Sequence, residues 1–454
     1  MHASPRSAWW WSFIASLLAG LLSAGVLLSQ TLPRRSVRYV SALPAPPDTT
    51  PRDFLPPPTP LQRQQARAAT GGLLISAVES ARGAVPPLPW NEHGLARVAI
   101  SAEGIRWDEA RGRYIHPLEG DRVAVLTLER PLQQGLEAFV ARYQEPAEAS
   151  VVLEAATGRV LAMVDDHTGP LIGPGLARRS WAWAASTFKV ITGAALLGEG
   201  VVTLNDRVCF SGGWSGFSLQ QLAARETGGR CDNLRAAMAS SSNLVFGRMA
   251  DDHLTPATLQ AWAERFGYNA RIPFEMDVQP SRARIPEDRL EFGRAAAGFR
   301  HSRLSPLHGA MIQAAIGNDG RMMVPTIVAS IEDASGRTVW EHTPVLWRTV
   351  MEGRALEQLQ QTLADTCTSG TASRYFAQRP AWPATLQVLG KTGTLSDDGL
   401  RQNGDHPRLI FTWFTGYAQV GDRTLAVSGL VANAELWWIK GSQVAAEALL
   451  AAHR

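Results

Sequence analysis

The sequence predicts an α+β fold: an antiparallel five-stranded sheet flanked by helices, with a helical subdomain inserted between its strands. Three observations predict it. Residues 150–164, SVVLEAATGRVLAMV, set two apolar runs on either side of a turn at Ala156-Thr157-Gly158, the pattern of a hairpin. Near the C-terminus, ATLQVLGKTGT, RLIFTWFTGYAQV and RTLAVSGLVAN read as three further strands, the last two joined at Gly421-Asp422. The chain between these two groups is mostly helical in pattern. An N-terminal transmembrane helix and a small pedestal precede this domain.

In chain order, residues 1–7 form a short cytoplasmic tail. From Ala8 to Leu32 no residue is charged, and AWWWSFIASLLAGLLSAGVLLSQTL is long enough to span a bilayer as an uncleaved anchor. A cleaved signal peptide, the alternative, needs an apolar core of only roughly 7–15 residues. Arg6 precedes this run, whereas Arg34, Arg35 and Arg38 follow it, a distribution that by itself places the body of the protein in the cytoplasm. The chemistry below nevertheless requires the body outside. Residues 33–70 are a linker, and ALPAPPDTTPRDFLPPPTP within it is a semi-rigid spacer because proline fixes φ. Residues 71–120 are the pedestal, where ARVAIS and GIRWDEARGRYIHP suggest hairpins with no assignable chemistry.

The main domain, 121–454, opens with the strand-like RVAVLTLE. PLQQGLEAFVARY then puts Leu132, Leu136, Phe139, Val140 and Tyr143 on one helical face, with Pro131 suited to the first turn. The final SQVAAEALLAAH is helical.

Composition excludes several classes. The 454 residues are 45% hydrophobic and 19% charged, a globular balance. A net charge of +3 with interspersed signs makes no case for nucleic acid. Three cysteines without a C-x-x-C pair argue against a disulfide-dense scaffold or a zinc site, and the ten histidines show no ligand spacing. No metal or organic cofactor is implied.

Chemistry concentrates first at WAASTFKVITGAALLGEG, where Ser186 precedes Lys189 by three residues. Residues three apart on a helix share a face. A serine hydroxyl is a poor nucleophile until a base takes its proton. A free lysine, with a pKa of about 10.4, must drop by roughly three units, about 4 kcal/mol, to be that base at neutral pH. Burial, the positive end of a helix and a second cation all push that way. Phe188, Val190, Ile191, Ala194, Ala195, Leu196 and Leu197 make the helix apolar nearly all round, hence buried. Gly193 within it calls for a close neighbouring element. Ser-x-x-Lys alone occurs often by chance.

Two further motifs change the weight. SSSNLVF contains Ser241-Ser242-Asn243, and LGKTGTLS ends a predicted strand with Lys391-Thr392-Gly393-Thr394. The second offers a cation and hydroxyls to a carboxylate, and its glycine lets a substrate backbone lie alongside. Ser-x-x-Lys with Ser-Asp-Asn and Lys-Thr-Gly marks serine β-lactamases and penicillin-binding proteins, and Ser241-Ser242-Asn243 stands here in the second place.

On these motifs, the region from Asp121 to the C-terminus resembles the transpeptidase domain of penicillin-binding proteins. LTLERPLQQGLEAFV, VVLEAATGRVLAMV, STFKVITGAALLGEGVVT, ASSSNLVFGRMA, RLSPLHGAMIQAAIGNDGRMMVPTIV, GTASRY and WFTGYAQV extend the likeness beyond the motifs. The resemblance implies that Ser186 attacks the penultimate D-Ala carbonyl of a peptidoglycan stem peptide and that Lys189 is its base. It implies that Ser241 relays a proton to the leaving amine and that Asn243 holds the substrate amide and steadies Lys189. Lys391 is then the second cation; with Thr392 and Thr394 it holds the substrate carboxylate beside Gly393. The backbone N–H groups of Ser186 and Thr394 form the oxyanion hole. β-Lactams would acylate the same serine. The resemblance also places the catalytic domain on the extracytoplasmic, periplasmic side of the inner membrane, and leaves open a separate glycosyltransferase as partner in a cell-wall complex. The family commonly has Pro-Gly before the nucleophile, and here Ala184-Ala185 stand there.

A D,D-carboxypeptidase uses the same groups with water as acceptor. A class D-like β-lactamase would carry an aromatic-x-Asn second motif, and a class A enzyme a Glu-x-x-Leu-Asn that EDRLE at 287–291 does not complete. A β-lactam sensor would need several spans, and a non-catalytic scaffold would not need the whole motif set. Cys209 and Cys231 are read either as a bridge outside the cytoplasm or as two buried thiols. Cys367 reads as packing, as do Trp413, Trp437 and Trp438.

Overall fold

The computed structural model describes residues 94–96, 98–143, 145–167, 174–212, 216–225, 228–397, 409–433 and 439–454. The expected tail, anchor, linker and first part of the pedestal lie outside the described residues, as do Trp437 and Trp438. Among the described residues no helix is long and apolar enough to cross a membrane.

The main sheet is built as the alternation of apolar residues requires. Its strands are β1 (Ala147–Glu154), β2 (Val160–His167), β3 (Val388–Asp397), β4 (Leu409–Val420) and β5 (Arg423–Asn433). They pair in the order β3-β4-β5-β1-β2, every pair antiparallel. Strands β1 and β2 thus share one sheet with β3, β4 and β5, which lie more than 200 residues later in sequence, and β3 is an edge strand. The helices that bear on the site are, in chain order, α1 (Arg130–Val140), α2 (Lys189–Gly198), α3 (Leu234–Ser240), α4 (Asn243–His253), α5 (Arg289–Ala296), α6 (Pro306–Gly317), α7 (Gly353–Thr368) and α8 (Gly441–His453).

Strand side chains alternate between faces. Ala149, Val151 and Leu153 of β1 join the larger core with α2 and α6, whereas Val152 joins Leu132 and Leu136 of α1 and Val444, Ala445 and Leu449 of α8. The sheet is therefore covered on both faces. The residues of α2 from Lys189 to Leu197 are all buried, as an all-round apolar helix must be. A Cβ on Gly193 would come within 3.2 Å of Met238 on α3 and 3.4 Å of Leu359 on α7, the close neighbours that its glycine implied.

Two findings depart from the expected elements. Arg122–Leu126, expected to open the main domain, sits in a second five-stranded sheet between Arg113–Leu118 and Val328–Glu332. A sequence boundary at residue 121 falls inside a hairpin, because Arg113–Leu118 pairs with Arg122–Leu126, which pairs in turn with a strand some 200 residues later. The Lys-Thr-Gly strand also runs on to Asp397, so the motif lies in the middle of β3 rather than at its end.

Cys209 and Cys231 are bridged, tying the short hairpin of Arg207–Phe210 and Arg230–Asn233. Cys367 is buried on α7, where burial pushes its thiol pKa up, so it packs and does not react.

Candidate active site

Ser186 lies in a 3₁₀ turn, Ala185–Phe188, that runs directly into α2. Its N–H therefore belongs to the positive end of a helix. The turn is entered through Ala185 at φ 51°, in the left-handed region that favours glycine. That is the position at which the resemblance leads one to expect glycine, and the backbone keeps the glycine-like conformation with alanine in place.

Lys189 is fully buried. Its Nζ lies 2.8 Å from Ser186 Oγ, 2.7 Å from Asn243 Oδ1 and 2.7 Å from the Ala297 carbonyl oxygen. Burial first, and then the positive charge of Lys391, hold its pKa well below the ordinary lysine value. A neutral amine has two N–H groups and one lone pair. With Asn243 and Ala297 accepting the two N–H groups, the lone pair is left for the Ser186 proton. The sequence pointed to Asn243, but not to Ala297, whose carbonyl follows α5 and belongs to no motif.

Ser241 and Asn243 stand at the corner between two helices. Ser241 ends α3 at φ 59°, ψ 38°, and Asn243 opens α4. Ser242 N–H donates to the Ala237 carbonyl at 2.9 Å, closing the end of α3. A serine in this conformation is strained, and such strain clusters at functional sites.

Opposite them, β3 presents Lys391 buried and near enough for its charge to act on Lys189, with burial lowering its own pKa to about 7. Lys391 Nζ donates to the Thr392 carbonyl at 3.1 Å. Gly393 lines the cleft and also meets a packing need that the sequence did not show. A Cβ there would meet Thr187 Cγ2 at 3.2 Å and the Ala184 carbonyl oxygen at 3.3 Å. The missing side chain therefore admits the turn that carries Ser186 against β3. Trp413 on β4 is buried and donates from Nε1 to the Trp183 carbonyl at 2.8 Å, bracing the same turn.

These residues open on a cleft of about 580 Å³ lined by Ser186, Ser241, Asn243, Thr392, Gly393 and Thr394. Thr371, Arg374, Tyr375, Lys440 and Ser442 also line it and were not singled out one by one from sequence. Only GTASRY, as a recurring segment, hinted at the first three. Among the described residues no group of histidine, cysteine, aspartate or glutamate is arranged to hold a metal ion.

Comparison with known proteins gives the family and the fold. Residues 149–452 match the model of the penicillin binding protein transpeptidase domain. The chain is 29% identical over 326 residues to the peptidoglycan D,D-transpeptidase PbpA of Mycolicibacterium smegmatis, covering 63% of this chain and 62% of that one. It is 25% identical over 351 residues to the protein of the same name from Mycobacterium tuberculosis strain H37Rv, covering 69% and 68%. Among solved structures, PBPA from M. tuberculosis superposes with a TM-score of 0.59 at 21% identity, over 72% of this chain and 80% of that one. The D,D-transpeptidase domain of a peptidoglycan glycosyltransferase from Eggerthella lenta gives 0.61 at 23%, over 72% and 82%.

Proposed function

The chain belongs to the penicillin binding protein transpeptidase-domain family, and from that premise we propose that it is a D,D-transpeptidase working through a Ser186 acyl-enzyme. One observation carries the reading: a fully buried lysine amine 2.8 Å from the Ser186 hydroxyl, its other two contacts being acceptors. Lys189 takes the proton as Ser186 Oγ attacks the penultimate D-Ala carbonyl of a stem peptide. The Ser186 and Thr394 N–H groups hold the oxyanion, each worth ~3–4 kcal/mol in such chemistry. Ser241 passes the proton to the leaving D-Ala amine. Thr392, Thr394 and Lys391 hold the terminal carboxylate. The amine of a second stem peptide then attacks the ester carbon and regenerates the Ser186 hydroxyl, and β-lactams enter by the same first step.

The relatives named PbpA motivate the substrate, although the matched region covers about 62% of the first of them. The Cys209–Cys231 bridge favours an oxidising compartment, so we place the domain outside the inner membrane behind the 8–32 anchor, against the arginine count. A separate glycosyltransferase would supply the glycan.

A fluorescent penicillin tests the reading in wild type and Ser186→Ala. Stable label that requires Ser186 supports it. Label lost within seconds indicates a β-lactamase, and no label overturns acyl transfer altogether. D-Ala release from a pentapeptide that depends on an added amine separates transpeptidase from carboxypeptidase.

A further inference from the structure

The segment Gly370–Tyr375 has no part in the reaction above, yet it bridges the two walls of the cleft. Thr371 N–H donates at 3.0 Å to the Ala239 carbonyl, two residues before Ser241. A Cβ on Gly370 would stand 2.3 Å from that carbonyl oxygen, so the chain comes this close only with glycine there. From this anchor the Thr371 side chain crosses to β3, where its Oγ1 lies 2.6 Å from Thr392 Oγ1. Lys391 Nζ lies 3.5 Å from the same oxygen. Three residues on, Arg374 lines the cleft with its guanidinium 4.6 Å over the Tyr375 ring. Burial, and then the charge of Arg374, lower the pKa of Lys440, another cation lining the cleft. None of the lining residues is acidic, and no carboxylate pairs with Arg374 among the described residues.

From these contacts we propose that Thr371 is a positioning residue, and Arg374 a specificity residue, for an acyl donor that ends in a carboxylate. The proposal rests on the acyl-transfer reading above. A hydroxyl has one proton and two lone pairs. When Thr371 and Lys391 both donate to Thr392 Oγ1, its lone pairs are occupied and its proton turns into the cleft as a donor. In the reverse arrangement, with Thr392 donating to Thr371, a lone pair would face the substrate carboxylate. Arg374 attracts the carboxylate from a distance, and its fixed charge remains when Lys391 is neutral. The site thereby reads a negative charge, and a neutral donor of the same shape gains nothing from it.

The test compares acylation of the full chain by benzylpenicillin and by its methyl ester. In Thr371→Val the ratio of the two rate constants, acid over ester, falls about tenfold, the worth of a hydrogen bond to a charged group. Thr371→Ser restores it. Arg374→Gln lowers the ratio and flattens its dependence on ionic strength. A ratio unchanged in Thr371→Val, or a rate loss equal for both compounds, overturns the proposal. A wild type acylated by neither compound overturns the acyl-transfer reading, and this inference with it.

Discussion

In the proposed reaction Lys189 accepts the Ser186 proton only while its amine is neutral. Burial and Lys391 both lower its pKa, so acylation rises with pH as Lys189 deprotonates, beginning well below the ordinary lysine range. Lys391 must keep its proton to attract the carboxylate, and it loses that proton at about 7. The second-order rate of penicillin acylation against pH is therefore bell-shaped, with its falling limb near neutrality. Lys391→Gln removes the neighbouring charge, so the rising limb moves to higher pH even as the overall rate falls. Lys189→Arg places a permanent cation there and lowers acylation by about 10²–10⁴-fold; an unchanged rate would exclude Lys189 as the base. At Ala185, held at φ 51°, Ala185→Gly relieves a steric penalty and stabilises the fold by about 1 kcal/mol, measurable as a raised Tm.

The two helices that meet at Ser241 are tied to the disulfide hairpin. Asn233, at the end of that hairpin, caps α3 by accepting from the Ala236 N–H at 2.9 Å. Arg248 on α4 is buried and donates to the Cys209 carbonyl at 2.5 Å and to the Gln221 carbonyl at 2.8 Å. Replacing both cysteines by serine frees a loop of sequence separation 22 and costs about 3 kcal/mol in urea unfolding. Arg248→Met strips donors from two carbonyls, at about 1–3 kcal/mol each. It also slows acylation, because α4 carries Asn243 to Lys189. Stability falling with no change in acylation would show that the hairpin does not set the position of Asn243. Which of these elements the sequence disclosed follows from the range of the forces involved. Helix α2 and the strands β1, β4 and β5 were legible because their apolar periodicity is local. The grouping of Ser186, Lys189 and Asn243 was legible because each sits in a short motif. The Ala297 carbonyl, the Thr371 crosspiece and Arg248 were not, because each acts on a residue more than 20 positions away and backbone carbonyls leave no mark in a sequence. The pairing of Arg122–Leu126 with Val328–Glu332 escaped for the same reason.

Across the described residues, several buried groups shift stability with pH in opposed directions. Glu148 on β1 is 1% exposed, and neither of its carboxylate oxygens makes a hydrogen bond of good geometry. Burial first, then the charges of Glu145 and Asp166, push its pKa up to about 8. Burial likewise raises Glu275 to about 7, although Thr326 donates to it. In the unfolded chain both titrate near 4.5. Below that value both states are protonated and the stability is complete. Above it the unfolded chain releases protons first, so the folded state binds more of them and stability is lost as pH rises toward the folded pKa. His308, lowered to about 4 by burial, acts in the opposite sense, since the unfolded chain gains its proton first as pH falls. Buried Lys189 and Lys391 also favour higher pH. A single stability profile therefore mixes opposed slopes, and only a difference isolates one group. Glu148→Gln is nearly isosteric and neutral at every pH, while the other groups stay as they are. At pH 5 the variant and the wild type should unfold at nearly the same urea concentration. By pH 8.5 the variant should be more stable by a few kcal/mol, since the wild type alone has borne the cost of a buried charge. A difference that stays constant from pH 5 to 8.5 would mean that Glu148 is already ionised in the folded protein, with its charge met by water or a partner that burial does not reveal.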